Sequence, residues 1–110
     1  MKQGEIWYAD LDPKTGSEQA GFRPVIIVSG NLLNENVSIL ICCPLTTKLK
    51  NYHGNVILEP NKINGITEKS EILTFHIRSI SKERFKRKVG KITPQELDKI
   101  KSCLNDILRY

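Results

Sequence analysis

Val25-Ile26-Ile27-Val28 and Val37-Ser38-Ile39-Leu40-Ile41-Cys42-Cys43 are the two stretches that decide the fold. Both are β-branched apolar runs of strand length, and the turn signals Gly30-Asn31 and Asn34-Glu35-Asn36 separate them. They read as buried central strands. Ahead of them, Ile6-Trp7-Tyr8-Ala9-Asp10-Leu11 reads as a first strand that stops at Asp12-Pro13-Lys14-Thr15-Gly16, where the turn chemistry is strong. Between Gly16 and Gly21 the chain is polar, and the spacing predicts a long exposed loop ending at Arg23.

Downstream, Asn55-Val56-Ile57-Leu58 reads as a strand, Pro60-Asn61-Lys62-Ile63-Asn64-Gly65 as a turn, and Glu71 to Ile80 as one long strand. Ser81-Lys82-Glu83-Arg84-Phe85 reads as a single helical turn capped by Ser81, and Lys88-Val89-Gly90-Lys91-Ile92 as a short edge strand. A terminal helix follows: Thr93 is the N-cap, Pro94 suits the first helical position and Glu96 completes a capping box. Leu97, Ile100, Leu104, Ile107 and Leu108 fall on one stripe of that helix, which is expected to pack on the sheet while Lys99, Lys101 and Asp106 face water. The fold class is therefore mainly β (α+β), a closed or half-closed β structure with one C-terminal helix. With 110 residues the chain supports one core, so a single domain over 1–110 is expected.

Composition excludes several classes. The longest apolar run, Ile39 to Leu45, is interrupted by Pro44 and falls far short of the ~20 residues of a membrane helix, and Met1 to Glu5 holds no signal-like apolar stretch. The expectation is a cytoplasmic protein without membrane contact. Cys42 and Cys43 are strand neighbours pointing to opposite faces, so with Cys103 they read as small buried hydrophobes and not as a disulfide framework. No CxxC or HxxxH spacing accompanies His53 or His76, so neither a metal nor another cofactor is expected. From Pro44 to Lys91, basic residues such as Lys48, Lys50, Lys82, Arg84, Lys86, Arg87 and Lys88 outnumber Glu59, Glu68, Glu71 and Glu83. That clustering suits a polyanion, and it is equally what a solvated lysine surface looks like.

Signatures of a nucleotide loop, a serine-hydrolase elbow or a zinc site are missing. What remains are polar groups at strand ends. Arg23 precedes Pro24 and a buried strand, and Thr46 closes another, so together they could grip a phosphate through a planar guanidinium fork and a fixed hydroxyl. The plainer reading gives Arg23 loop carbonyls to satisfy and makes Thr46 and Thr47 strand-end hydroxyls bonded to nearby backbone.

Gly4-Glu5-Ile6-Trp7, then Asp12-Pro13-Lys14-Thr15-Gly16-Ser17-Glu18-Gln19-Ala20-Gly21-Phe22-Arg23-Pro24-Val25, strongly resembles the MazF/PemK (Kid) toxins of type II toxin-antitoxin systems. The likeness continues through Pro44-Leu45-Thr46-Thr47, Ser70, Ile77-Arg78-Ser79-Ile80 and Val89-Gly90-Lys91-Ile92 into the terminal helix. It implies a small SH3-like barrel of the CcdB/PemK type with a C-terminal helix. It further implies a homodimer whose groove takes single-stranded RNA, and a cognate MazE/PemI-like antitoxin whose disordered acidic tail occupies that groove. Arg23 and Thr46 match the family's catalytic positions, and Ser17, Glu18, Gln19, Lys48, His76 and Arg78 are the candidate RNA-binding residues.

The implied reaction is metal-independent and sequence-specific cleavage of mRNA. The ribose 2′-hydroxyl attacks the adjacent phosphorus, leaving a 2′,3′-cyclic phosphate and a 5′-hydroxyl, which inhibits translation and growth. Many relatives carry an acid followed by Gln where this chain has Phe75-His76, so a carboxylate role there is not expected. Phe75 becomes a candidate for stacking on a base, and His76 for contacting one or moving a proton. Two alternatives stand beside this reading: a non-catalytic CcdB-like toxin acting on DNA gyrase, and an inactive RNA-binding protein.

Overall fold

The computed structural model describes residues 1–11, 21–52 and 54–110. The loop expected before Arg23, with Ser17, Glu18 and Gln19 on it, lies outside the described residues. Seven strands form one antiparallel sheet: β1 (Glu5–Asp10), β2 (Phe22–Ile27), β3 (Ile39–Thr46), β4 (Ile57–Leu58), β5 (Ser70–Ile72), β6 (Arg78–Ser81) and β7 (Phe85–Lys91). Their order is β4-β5-β3-β2-β1-β7, and β6 shares the β5 side of β3. Among the described residues two α-helices accompany the sheet, α1 (Asn31–Asn36) and α2 (Pro94–Arg109).

The apolar runs of β2 and β3 lack polar alternation because each face of the curled sheet covers its own core. Ile26, Cys43 and Leu45 point into one, with Ile6, Ile72, Ile92 and Ile100 of α2. Val25, Ile27 and Cys42 point into the other, with Ala9, Leu40, Ile80 and Phe85. The adjacent cysteines thus separate to opposite faces, and all three thiols are buried and free. Burial pushes the thiols of Cys42 and Cys43 up to about 12.

Four expectations need correction. Asn31–Asn36 is not a turn but the short helix α1, because Asn34 is buried and ties back to Ser29 through both its amide oxygen and its amide nitrogen. The segment 71–80 is not one strand. Ile72 lies opposite Leu45 and Arg78 opposite Cys42, so the chain spends three more residues than β3 does over this interval. The surplus forms a 3₁₀ turn, Thr74–His76, pinned by a hydrogen bond from Thr74 Oγ1 to Asn55 Oδ1 of 2.7 Å. Ser81 does precede a second 3₁₀ turn, Lys82–Arg84, but its side chain makes no capping bond, and the edge strand after it is longer than expected.

The last correction concerns α2. Thr93 and Glu96 form the expected reciprocal capping box, with bonds of 2.9 and 3.1 Å. Ile100 and Cys103 are buried, and Leu97 and Leu104 pack against the core. Beyond them Ile107 and Leu108 are exposed, so only the first part of the stripe packs on the sheet.

Candidate active site

β2 and β3 pair with Val25 opposite Pro44, Ile26 opposite Cys43 and Ile27 opposite Cys42. The paired ladder ends at Val25 and Pro44; carried two residues beyond that pair, the same register sets Arg23 opposite Thr46. Strand alternation puts both side chains on the face that carries Val25, Ile27 and Cys42. Directly opposed residues have Cβ atoms about 5 Å apart. Arg78 faces Cys42 across the β3–β6 ladder and projects from the same face. Three predicted site residues from three different strands are therefore brought to one side of the sheet, at the end where β2 begins and β3 stops.

Each is held differently. Thr46 is 7% exposed, and its Oγ1 accepts the Lys48 backbone N–H at 3.1 Å. The plain strand-end bond exists, and it has a chemical consequence: with one lone pair engaged, the hydroxyl is oriented and its proton remains free to donate. Arg23 is half-buried, and that desolvation lowers its pKa from the ordinary value, although a guanidinium stays a cation. Arg78 donates Nη2 to the Leu11 carbonyl at 3.2 Å, and Arg84 donates Nη1 to the same oxygen and to the Asp10 carbonyl at 3.3 Å. Two guanidinium groups thus fix the end of β1 beside the site. Arg84 was not singled out by its sequence context.

Lys48 is exposed two residues past Thr46. His76 is exposed on the first 3₁₀ turn, where its ring lies 4.6 Å from that of Phe75. Phe75 in turn meets Tyr52 edge-on, with centroids 4.9 Å apart. The three extra residues that break the strand are what lift Phe75 and His76 into solvent. Ser17, Glu18 and Gln19 are outside the described residues.

A further residue of this region was not singled out as functional by the sequence reading. Glu71 pairs with Thr46 across the β3–β5 ladder and is fully buried. Burial alone would raise its pKa, but Asn55 Nδ2 and the N–H groups of Asn51, Lys50 and Tyr52 all donate to the carboxylate and hold it below the ordinary value. Its only signal in the sequence is an acid inside a strand whose next residues are Ile72 and Leu73. Among the described residues, no group of three or more His, Cys, Asp or Glu is placed to hold a metal ion, and no helix is long and apolar enough to cross a membrane.

Comparison with known proteins follows the same lines. A family model described as PemK-like, MazF-like toxin of type II toxin-antitoxin system matches residues 2–108. The endoribonuclease toxin MazF of Escherichia coli (strain K12) is 33% identical over 106 residues, 96% of this chain and 91% of that protein. Endoribonuclease EndoA of Bacillus subtilis (strain 168) is 30% identical over 105 residues, 94% of this chain and 90% of its own length. Among solved structures, MazF from Deinococcus radiodurans superposes with a TM-score of 0.81 at 24% identity, covering 100% of this chain and 97% of that one. A mycobacterial endoribonuclease solved with its cognate antitoxin gives 0.80 at 24% identity, with 98% and 94% covered.

Proposed function

The chain belongs to the PemK-like, MazF-like toxins of type II toxin-antitoxin systems and is an endoribonuclease of that kind, and from this premise we propose that Arg23 and Thr46 are the residues that cut its RNA. The observation that supports the proposal is the β2–β3 register, which, extended two residues beyond the Val25–Pro44 pair, brings Arg23 opposite Thr46 on one face of the sheet. A scissile phosphate seated between them meets a fixed cation and an oriented hydroxyl donor.

In the reaction the 2′-oxygen forms a bond to phosphorus while the bond from phosphorus to the 5′-oxygen breaks. The proton lost by the 2′-hydroxyl is balanced by the one gained at the departing oxygen. Products are a 2′,3′-cyclic phosphate and a 5′-hydroxyl, and no water or metal enters the step. Arg23 stabilises charge on the phosphoryl oxygens, and Thr46 donates to one of them and fixes the geometry. Arg23 is a poor base because it stays protonated, so its role is electrostatic. Arg78 and Lys48 contribute positive charge along the strand, with the counterion release that RNA binding brings. Phe75, Tyr52 and His76 offer ring faces and edges to unpaired bases, and Ser17, Glu18 and Gln19 offer hydrogen bonds to base edges.

The substrate is single-stranded mRNA in the cytoplasm, and residues 1–110 act as one domain. A second copy completes the groove, in keeping with the exposed apolar side chains of Phe75 and Ile77 and of Ile107 and Leu108 on α2. A cognate antitoxin with a disordered acidic segment competes with RNA for the same basic surface. The test incubates the protein and its Arg23→Ala and Thr46→Ala variants with a long RNA in excess EDTA. Cleavage by the parent and a loss of roughly 10²–10³ in kcat for each variant are expected. Loss of parental activity in EDTA removes the mechanism, undiminished variants remove the site, and continued scission at a deoxyribose removes the 2′-hydroxyl as nucleophile.

A further inference from the structure

We infer that Glu71 is a positioning residue for RNA binding, a buried carboxylate that shapes the segment following Thr46 into a rigid, substrate-facing loop. The inference rests on the endoribonuclease reading above and goes beyond it, since Glu71 reaches no substrate itself.

The geometry is that of an anion held in a nest of main-chain donors. Oε1 accepts the N–H groups of Lys50 at 2.6 Å and Asn51 at 2.8 Å. Oε2 accepts the N–H of Tyr52 at 3.2 Å and Asn55 Nδ2 at 2.7 Å. Asn51 takes the left-handed conformation, φ 55°, that lets three successive N–H groups turn toward one point. All four bonds come from a single loop, so what this carboxylate fixes is that loop.

A buried charge is a costly way to fill a core position, and an apolar side chain of similar size would satisfy β5 at least as well. The cost is explained by what the loop carries. It begins at Thr46, whose hydroxyl holds the Lys48 N–H, and it presents Lys48, Lys50 and Tyr52 to solvent. Asn55 extends the clamp: its Nδ2 bonds Glu71 while its Oδ1 accepts from Thr74, which also meets Cys103 of α2 at 3.1 Å. Thr74 opens the turn that bears Phe75. Glu71 therefore links the two elements whose rings meet, Tyr52 on the loop and Phe75 on the turn, and ties both to the strand that ends in Thr46. Preorganising such a surface removes an ordering cost that RNA binding would otherwise bear.

The test uses the full chain and a single-stranded RNA oligonucleotide containing one cut site, chosen by mapping parental cuts on a long RNA. Glu71→Gln keeps the shape, removes the charge and sets an amide against N–H donors. The expected result is a KM raised roughly tenfold with kcat within about twofold of the parent, the pattern of lost binding. Amide exchange at Lys50, Asn51 and Tyr52 should quicken in parallel. Tyr52→Ala should raise KM too, and the double variant should fall short of additivity, because both changes act on one surface. Should Glu71→Gln fail to fold, Asn55→Ala keeps the carboxylate, loses one of its donors and is expected to shift KM in the same direction by less.

A fall in kcat with KM unchanged, as a smaller folded fraction gives, overturns the inference, and so do strictly additive effects. In either case the parent still cuts RNA and the endoribonuclease reading stands. A parent that cuts no RNA overturns that reading, and the positioning role with it.

Discussion

Replacing Thr46 by valine isolates the hydroxyl, because the two side chains have nearly the same shape while valine neither accepts nor donates a hydrogen bond. In the folded protein the hydroxyl holds the Lys48 N–H at 3.1 Å, and the side chain is almost wholly buried. Losing that bond costs about 1 kcal/mol, the net value of a neutral hydrogen bond, which for a chain of this size lowers Tm by about 5 °C. The chemical loss is separate and larger. If the hydroxyl proton is donated to a phosphoryl oxygen in the transition state, its removal costs about 3–4 kcal/mol, or roughly 10²–10³ in kcat. Single-turnover cleavage of an oligonucleotide in EDTA, at a temperature where both proteins are fully folded, reads the second effect free of the first. Thr46→Ser restores the hydroxyl without the methyl and should recover most of the rate. A Thr46→Val enzyme that cuts within about threefold of the parent would refute the assignment, since no transition-state donor is worth so little.

Acid should destabilise the fold through Glu71 and Glu5. Burial opposes ionisation at Glu5, but hydrogen bonds from Trp7, the Lys2 N–H and Lys88 outweigh it, so both carboxylates titrate below their ordinary value of 4.5. Their contribution is complete above that unfolded-state value and is lost as pH falls through the folded-state ones. Tm should therefore drop steeply below pH 4.5 and less steeply in Glu71→Gln, whereas parallel slopes would count against Glu71. The thiols of Cys42 and Cys43, pushed up to about 12, should resist iodoacetamide at neutral pH in the native protein and react once denatured. Rapid native labelling of either residue would contradict the two-sided core. Gly90→Ala places a Cβ 2.4 Å from the Asn64 carbonyl carbon, and a loss of about 1–3 kcal/mol or more is expected in denaturant titration. Gly30→Ala, with open space around it, is the matched control.

How much of this the sequence carried depended on whether a residue's neighbours along the chain were also its neighbours in space. The start of α2 was legible to the residue because Thr93, Pro94 and Glu96 settle their own geometry locally. The strands were legible in their middles, Ile6–Asp10, Val25–Ile27 and Ile39–Cys43, and for the last two because a two-sided core writes itself as an unbroken apolar run, while their ends differ from the expected ones. The break at Thr74–His76 was not, since nothing in Leu73-Thr74-Phe75-His76-Ile77 favours a turn; it comes from Asn55 and Cys103, distant in sequence, which hold Thr74. Glu71 was missed for the same reason, as its donors are supplied some twenty residues earlier, between Lys50 and Asn55. Arg23 and Thr46 stood out as polar residues at strand ends and by the family resemblance, and the β2–β3 register, extended beyond Val25 and Pro44, supplied their relation.

That ladder also explains why the site can be rigid without being deeply enclosed. A one-residue slip of β2 against β3 would move Ile26 into the space of Val25 and Ile27, so both cores resist it at once. The same slip would exchange Arg23 for Phe22 or Pro24 on the face that carries Thr46. Most half-buried sheets have one apolar face to police their register; here two do, on opposite sides of the same strands. The position of the guanidinium is thus a consequence of core packing at Val25, Ile26 and Ile27, a few residues away. It follows that Ile26→Val or Ile27→Val, which shave a methylene without shifting register, should cost stability of about 0.5–1.5 kcal/mol and leave kcat within about twofold. A change of kcat far beyond the change in folded fraction would mean that the arginine is placed by something other than the ladder.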